Sequence, residues 1–190
     1  MRIGEINKGN YREFAKLFSQ LSGRKINFKN PSDIFSSKEQ IAANRAKYLD
    51  EDGEIINSMG VSGMCITGKD PSEYQKIIGI SEEGKQKLFD MVKSEFIENN
   101  GVLNGDTTRK SEVFAEYQKS IPKKDRLKAT WTLGELEREY RTALIDTVKA
   151  ANPNWKIGEK LDSSILSDVT RESISGTIDK QSRIGIDIQV

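Results

Sequence analysis

The residues Gly63-Met64-Cys65-Ile66-Thr67-Gly68-Lys69-Asp70 come closest to a recognised chemistry. They follow the phosphate-binding pattern G-x-x-x-x-G-K-[ST], in which backbone amides cradle phosphates and the final hydroxyl binds magnesium. The last position is Asp70, which would set a carboxylate beside the phosphates, and Pro71 starts a new helix there. The segment therefore reads as a turn followed by a helix start. Asp50-Glu51-Asp52-Gly53-Glu54 invites a calcium-loop reading, but counting back from Gly53 puts Tyr48 where the first acidic ligand belongs. The second calcium-loop candidate, around Asn100, Asn104 and Gly105, has Val102 at a ligand position and Ser111 where a glutamate is needed. Both read as helix-ending turns.

Nucleophilic chemistry fares no better. The chain has no histidine, which removes Ser-His and Cys-His pairs, imidazole bases and His-containing zinc sites. Cys65 sits between Met64 and Ile66, where a free thiol behaves as a small hydrophobe. Ser22 with Lys25, and Ser120 with Lys123, match S-x-x-K, a pattern too short to carry weight. Hydrolysis by carboxylates or by a Ser-Lys pair stays open as a third-ranked reading. No catalytic residue, metal or cofactor is expected.

Two groups of residues are candidates for binding. The first is basic: Arg109, Lys110, Lys119, Lys123, Lys124, Arg126 and Lys128, followed by Trp131. Its first reading is a solvated interhelical loop with Trp131 packed inward. The alternative is a nucleic-acid or anion grip over residues 109–131, with cations on phosphates and the indole stacked on a base. The second is the C-terminal row Ile184, Ile186, Ile188 and Val190, whose period of two suits a strand with one apolar face. It is expected to pair with Ile174–Ile178, with residues 54–67, or with a partner chain.

The elements that would position these groups are mostly helices. Asn10 with Glu13, and Ser37 with Gln40, open two helices over 10–22 and 37–49. Ser72 with Gln75 is read as a short capped helix, and Ser81-Glu82-Glu83 opens a longer one carrying Leu88, Met91, Val92 and Phe96, which ends at Asn99-Asn100-Gly101. Another helix over about 107–120 presents Val113, Phe114 and Tyr117 and is interrupted by Pro122. The clearest helix is capped by Thr132 with Glu135 and keeps Leu133, Leu136, Tyr140, Ala143, Leu144 and Val148 on one stripe, with Glu137 and Arg141 paired outside, until Asn152-Pro153. Residues 54–67 suit a small hairpin or loop, and Ile165, Leu166 and Val169 mark a weak helical stretch.

The expected fold is thus mainly α, with five or six helices around one core and a small β element. Its expected organisation is a helix-rich globular domain over 1–158 and a C-terminal arm over 159–190 ending in a β-strand. With 30 basic and 29 acidic side chains the net charge is +1, so no global field attracts nucleic acid or membrane. No stretch approaches the roughly 20 apolar residues of a membrane span, and the single cysteine fits a reducing compartment. Cytoplasmic residence is expected, with signal-less export as the alternative.

The blocks Met1-Arg2-Ile3-Gly4-Glu5-Ile6-Asn7, Asn99 through Thr108 and Lys124-Asp125-Arg126-Leu127-Lys128-Ala129-Thr130-Trp131 resemble segments of an uncharacterised family of small proteins from Gram-positive bacteria. The resemblance implies a bacterial protein and carries no activity or site. The leading functional expectation is a non-catalytic interaction or accessory protein with an unidentified protein partner.

Overall fold

The computed structural model describes residues 47–183. The helix expected at 10–22 and the strand Ile184–Val190 lie outside the described residues, as does the helix expected at 37–49 except for its last three positions, which are a turn and the Leu49 bridge rather than helix. The elements below belong to one compact unit, Leu49–Val190.

Among the described residues the chain is mainly helical: α1 Pro71–Tyr74, α2 Glu82–Glu98, α3 Thr108–Ser120, α4 Arg126–Ala151 and α5 Thr177–Gln181. Three 3-10 turns, Lys123–Asp125, Ser163–Leu166 and Glu172–Ile174, lie between them. The signals that start α2 work as expected, since Ser81 accepts the Gly84 amide at 3.1 Å and Glu82 and Glu83 occupy the first turn. The helix α1 is capped by Asp70 rather than Ser72. Its carboxylate accepts the Ser72 amide, Glu73 returns to the Asp70 amide, and Pro71 occupies the first turn, where no N–H is missed.

The helix α4 begins at Arg126, six residues before the expected cap at Thr132. The turn Lys123–Asp125 after Pro122 runs straight into it, so Thr132 lies inside the helix with no exposure. Its hydroxyl lies 2.9 Å from the Lys128 carbonyl and accepts the Ile78 amide at 3.0 Å. This ties the extended segment before α2 onto α4. At 26 residues α4 is about 39 Å long.

The core forms where the α2 stripe Leu88, Phe89, Val92 and Phe96 meets Leu133, Leu136, Tyr140, Leu144 and Val148 of α4, with Phe114 and Tyr117 of α3 closing one side. Tyr140 and Leu144 are fully buried. Beyond Trp155 the chain remains in contact with this bundle, since Leu161 and Leu166 join the same core. Asn100 ties the return, accepting the Gly158 amide on its carbonyl and the Leu161 amide on its side chain.

No sheet is present among the described residues, and the small β element reduces there to two single bridges, Leu49 with Ile55 and Ile80 with Arg183. Residues 54–67 form no hairpin. Asp50 Oδ1 takes the Asp52 and Glu54 amides, and Asn57 Oδ1 takes those of Met59 and Val61, so donors that a ladder would use are held by side chains. The stretch Ile174–Ile178, one expected partner for the C-terminal strand, is instead the end of a 3-10 turn running into α5.

Candidate functional site

The basic residues fall into two groups separated along α3. Arg109 and Lys119 are ten positions apart, which spaces their backbones by about 15 Å. At the start of α3, Arg109 grips Glu98 with distances of 2.9 and 2.8 Å, and Lys110 pairs with Glu137 at 2.6 Å while lying over the Phe114 ring. Glu137 is therefore drawn to Lys110 and not to Arg141, as its helical spacing had suggested. Arg141 instead donates to the Gly101 carbonyl at the end of α2.

At the other end, Lys123 sits among three acids, 2.5 Å from Asp50, 2.5 Å from Asp52 and 3.5 Å from Glu54. The Lys123 ammonium holds the Asp50 carboxyl well below the usual carboxylate range. The Lys123 pKa is raised in return, by hydrogen bonding to Asp50 and Asp52. Arg126 donates to the Ser62 carbonyl at 3.0 Å, and Lys128 pairs with Asp125 at 3.3 Å. At Gly63 (φ +78°) an added Cβ would come within 2.5 Å of Lys123 Cγ, so loop and lysine are in close contact. This basic corner pins the loop over residues 49–63. Lys119 and Lys124 are exposed and have no carboxylate within ion-pair distance among the described residues.

Trp131 is half-buried on the outward side of α4. With Ile66, Tyr74, Leu127, Thr130 and Gly134 it lines an open groove of about 260 Å³, whose charged rim is the Glu135–Arg138 pair at 2.7 Å. Ile66 is 53% exposed. A Cβ at Gly134 would meet nothing within 4 Å among the described residues. A helix-interior glycine costs roughly 0.5–1 kcal/mol relative to alanine, and the packing of the described residues does not require one at this position.

Cys65 is exposed rather than packed as a small hydrophobe, because the loop carries it outward past the buried Val61 and Ser62. Hydrogen bonding to Thr67 lowers its pKa. The phosphate-loop look-alike ends where Asp70 caps α1, as a turn-and-helix reading requires. Among the described residues no group of three His, Cys, Asp or Glu side chains is placed to hold a metal ion. None of their helices is long and apolar enough to cross a membrane.

Sequence reasoning missed a buried ionic cluster. Asp179 of α5 is fully buried, and its carboxylate receives the Tyr140 hydroxyl at 2.5 Å, Arg171 Nη1 at 3.2 and 3.1 Å, and Lys85 Nζ at 3.4 Å. Lys85, also fully buried, donates to the Asp179 carbonyl at 2.8 Å, and Arg171 bridges onward to Glu82 at 2.5 Å and Glu172 at 2.9 Å. Burial pushes the Asp179 carboxyl up, but the Tyr140 hydrogen bond and the Lys85 and Arg171 charges outweigh it, leaving its pKa below the ordinary value. One signal existed in the sequence: Lys85 falls on the apolar stripe of Leu88, Phe89, Val92 and Phe96, where an unpaired ammonium is costly.

The partner candidates Ile184, Ile186, Ile188 and Val190 lie outside the described residues. The chain reaches them through Arg183, in parallel register with Ile80, with the Ile80 amide on the Ser182 carbonyl at 2.8 Å.

No curated protein and no solved structure matches this chain. A family model described as a domain of unknown function, DUF3879, matches residues 17–190, which is nearly the whole length, and the chain belongs to that family.

Proposed function

We propose that this chain is a non-catalytic interaction protein that receives a bulky apolar side chain of a protein partner in the Trp131 groove. The observation that carries this reading is the groove itself, walled by Ile66, Tyr74, Leu127 and Trp131 and left open at Gly134. Aromatic residues in such positions are the usual anchors of protein interfaces. Charge supports the same reading, because Glu135 and Arg138 neutralise each other at the rim and leave an apolar interior to be matched. Ile184, Ile186, Ile188 and Val190 are a proposed second contact, adding a strand to the partner. A bacterial, cytoplasmic setting belongs to the same proposal.

Affinity capture with the full chain, compared with Trp131→Ala and Gly134→Gln, tests it. Partners retained by the native protein should be lost from both variants while each still unfolds in one cooperative transition. An identical set of captured proteins from all three baits refutes the groove.

A nucleic-acid or anion-binding reading keeps support from Lys119 and Lys124, the two members of the basic group that are exposed without a carboxylate partner among the described residues. With about two phosphates neutralised, the affinity for a labelled oligonucleotide should fall with salt at a log–log slope near −1.4 to −1.8. A slope several-fold steeper would mean that the internal pairs of Arg109, Lys110, Lys123 and Lys128 open to bind phosphate, and would favour this reading over the first.

A further inference from the structure

The segment after Trp155 is attached to the bundle differently from the helices. The pair α2 and α4 meets through leucine, valine and aromatic side chains, whereas residues 161–182 contain little regular helix and are anchored by a few apolar side chains together with ionic contacts. Leu161 and Leu166 are the buried apolar anchors, and Ile165, Val169, Ile174 and Ile178 pack partly buried against the same core. The polar anchors converge on α5. Asp179 collects Tyr140, Arg171 and Lys85, and the Glu139 carboxylate accepts the amides of Gly176 at 3.2 Å, Ile178 at 2.7 Å and Asp179 at 3.0 Å. Contact at that cap is tight: a Cβ on Gly176 would come within 2.5 Å of the Glu139 carboxylate, so glycine is required for Glu139 to reach the backbone. Further along, Lys93 donates to the Val169 carbonyl at 2.8 Å.

We propose that residues 161–182 form a strap that opens from α2 and α4 as a unit, with the Asp179 carboxylate as its pin. Buried ion pairs contribute little net docking energy, because every charge regains its hydration when the strap leaves; removing a single partner is costly, because the others stay buried without it. An attachment of this kind is specific in register and weaker than the leucine-rich packing beneath it. It gives the strap a lower opening free energy than global unfolding. Opening separates Ser182 from Ile80. The strap stands on the geometry of the described residues and does not depend on the interaction role.

Amide hydrogen exchange read by mass spectrometry on the full chain at pH 7, with no partner added, tests the strap separately from any binding function. Peptides from 161–182 should exchange at least about tenfold faster, after correction for intrinsic rates, than peptides from the buried faces of α2 and α4. Asp179→Asn should accelerate the strap by about a further tenfold; α2 and α4, which exchange through global unfolding, should speed up by no more than that factor and stay at least about tenfold slower than the strap. Glu139→Gln, which keeps every partner of the Asp179 carboxylate, should give a smaller acceleration of the strap, again with α2 and α4 remaining the slower peptides. Equal protection of strap and helices in the native protein overturns the proposal. So does a strap indifferent to Asp179→Asn, or an Asp179→Asn protein that unfolds as a whole, since the helices would then depend on the same pin.

Discussion

Replacing Tyr140 by phenylalanine removes one oxygen from the centre of the molecule and nothing else. Tyr140 is fully buried, and its ring, edge-on to Phe89 at 5.7 Å, keeps its place in the core, so no cavity opens. What is lost is the hydroxyl's hydrogen bond to the buried Asp179 carboxylate. Hydrogen bonds to charged groups contribute about 1.5–3 kcal/mol. The variant should lose that amount in urea unfolding, as a lower midpoint at unchanged slope. For a unit of this size it corresponds to a fall of roughly 3–12 °C in melting temperature.

The effect should also depend on pH with a definite sign. Asp179 is held below its ordinary pKa in the folded state, so its contribution is complete above about pH 4 and is lost as the pH falls through the folded value. Without the hydroxyl the folded pKa rises, so acid unfolding of Tyr140→Phe should begin at higher pH than that of the native protein. A loss below about 0.5 kcal/mol, or identical acid midpoints, would show that the hydroxyl does not serve a buried charge.

Leu144→Ala should cost about 2–5 kcal/mol, since Leu144 is fully buried on the α4 stripe; a urea-measured loss under about 1 kcal/mol would make that stripe a surface. Thermal melts should superimpose between pH 6 and 8. They should fall below about pH 4 through Asp179, and above about pH 10 through Tyr140, whose ionisation in the folded state is suppressed by burial and by Asp179; a cooperative shift inside the plateau would contradict this. Lys123→Ala should speed amide exchange at Asp50 to Val61 without moving that of α4, and unchanged exchange would show that the lysine does not pin the loop. Titration of magnesium-ATP should show no saturable binding at Gly63–Asp70; micromolar binding abolished by Lys69→Ala would overturn the capping role of Asp70.

Sequence alone determined the features that depend on near neighbours along the chain. Ser81 starts α2 because its side chain accepts the amide three residues on, and Asn152-Pro153 ends α4 because proline disfavours a helical residue before it. The 3.6-residue stripe from Leu133 to Val148 shows its buried face without knowledge of what covers it. Local signals failed where a stronger one lay outside their window: Thr132 has the chemistry of a cap, yet the turn at Lys123–Asp125 feeds the helix from earlier, and its hydroxyl serves Ile78 instead.

The tertiary structure decided the partners of the charges that pair across the fold, as against local pairs such as Glu135 with Arg138. A run of cations in sequence admits a phosphate grip beside a solvated loop, but Lys123 meets Asp52 from 71 positions away, and Lys85 meets Asp179 from 94. Trp131 was legible as an aromatic beside that run, whereas the groove it forms depends on Ile66 and Tyr74, which only the folded loop brings across. Caps and stripes are set by backbone geometry within one or two turns and are therefore present in the string of residues. Ion pairs, grooves and the Asp179 pin exist only when distant segments have closed on one another, and no periodicity records which segments those are.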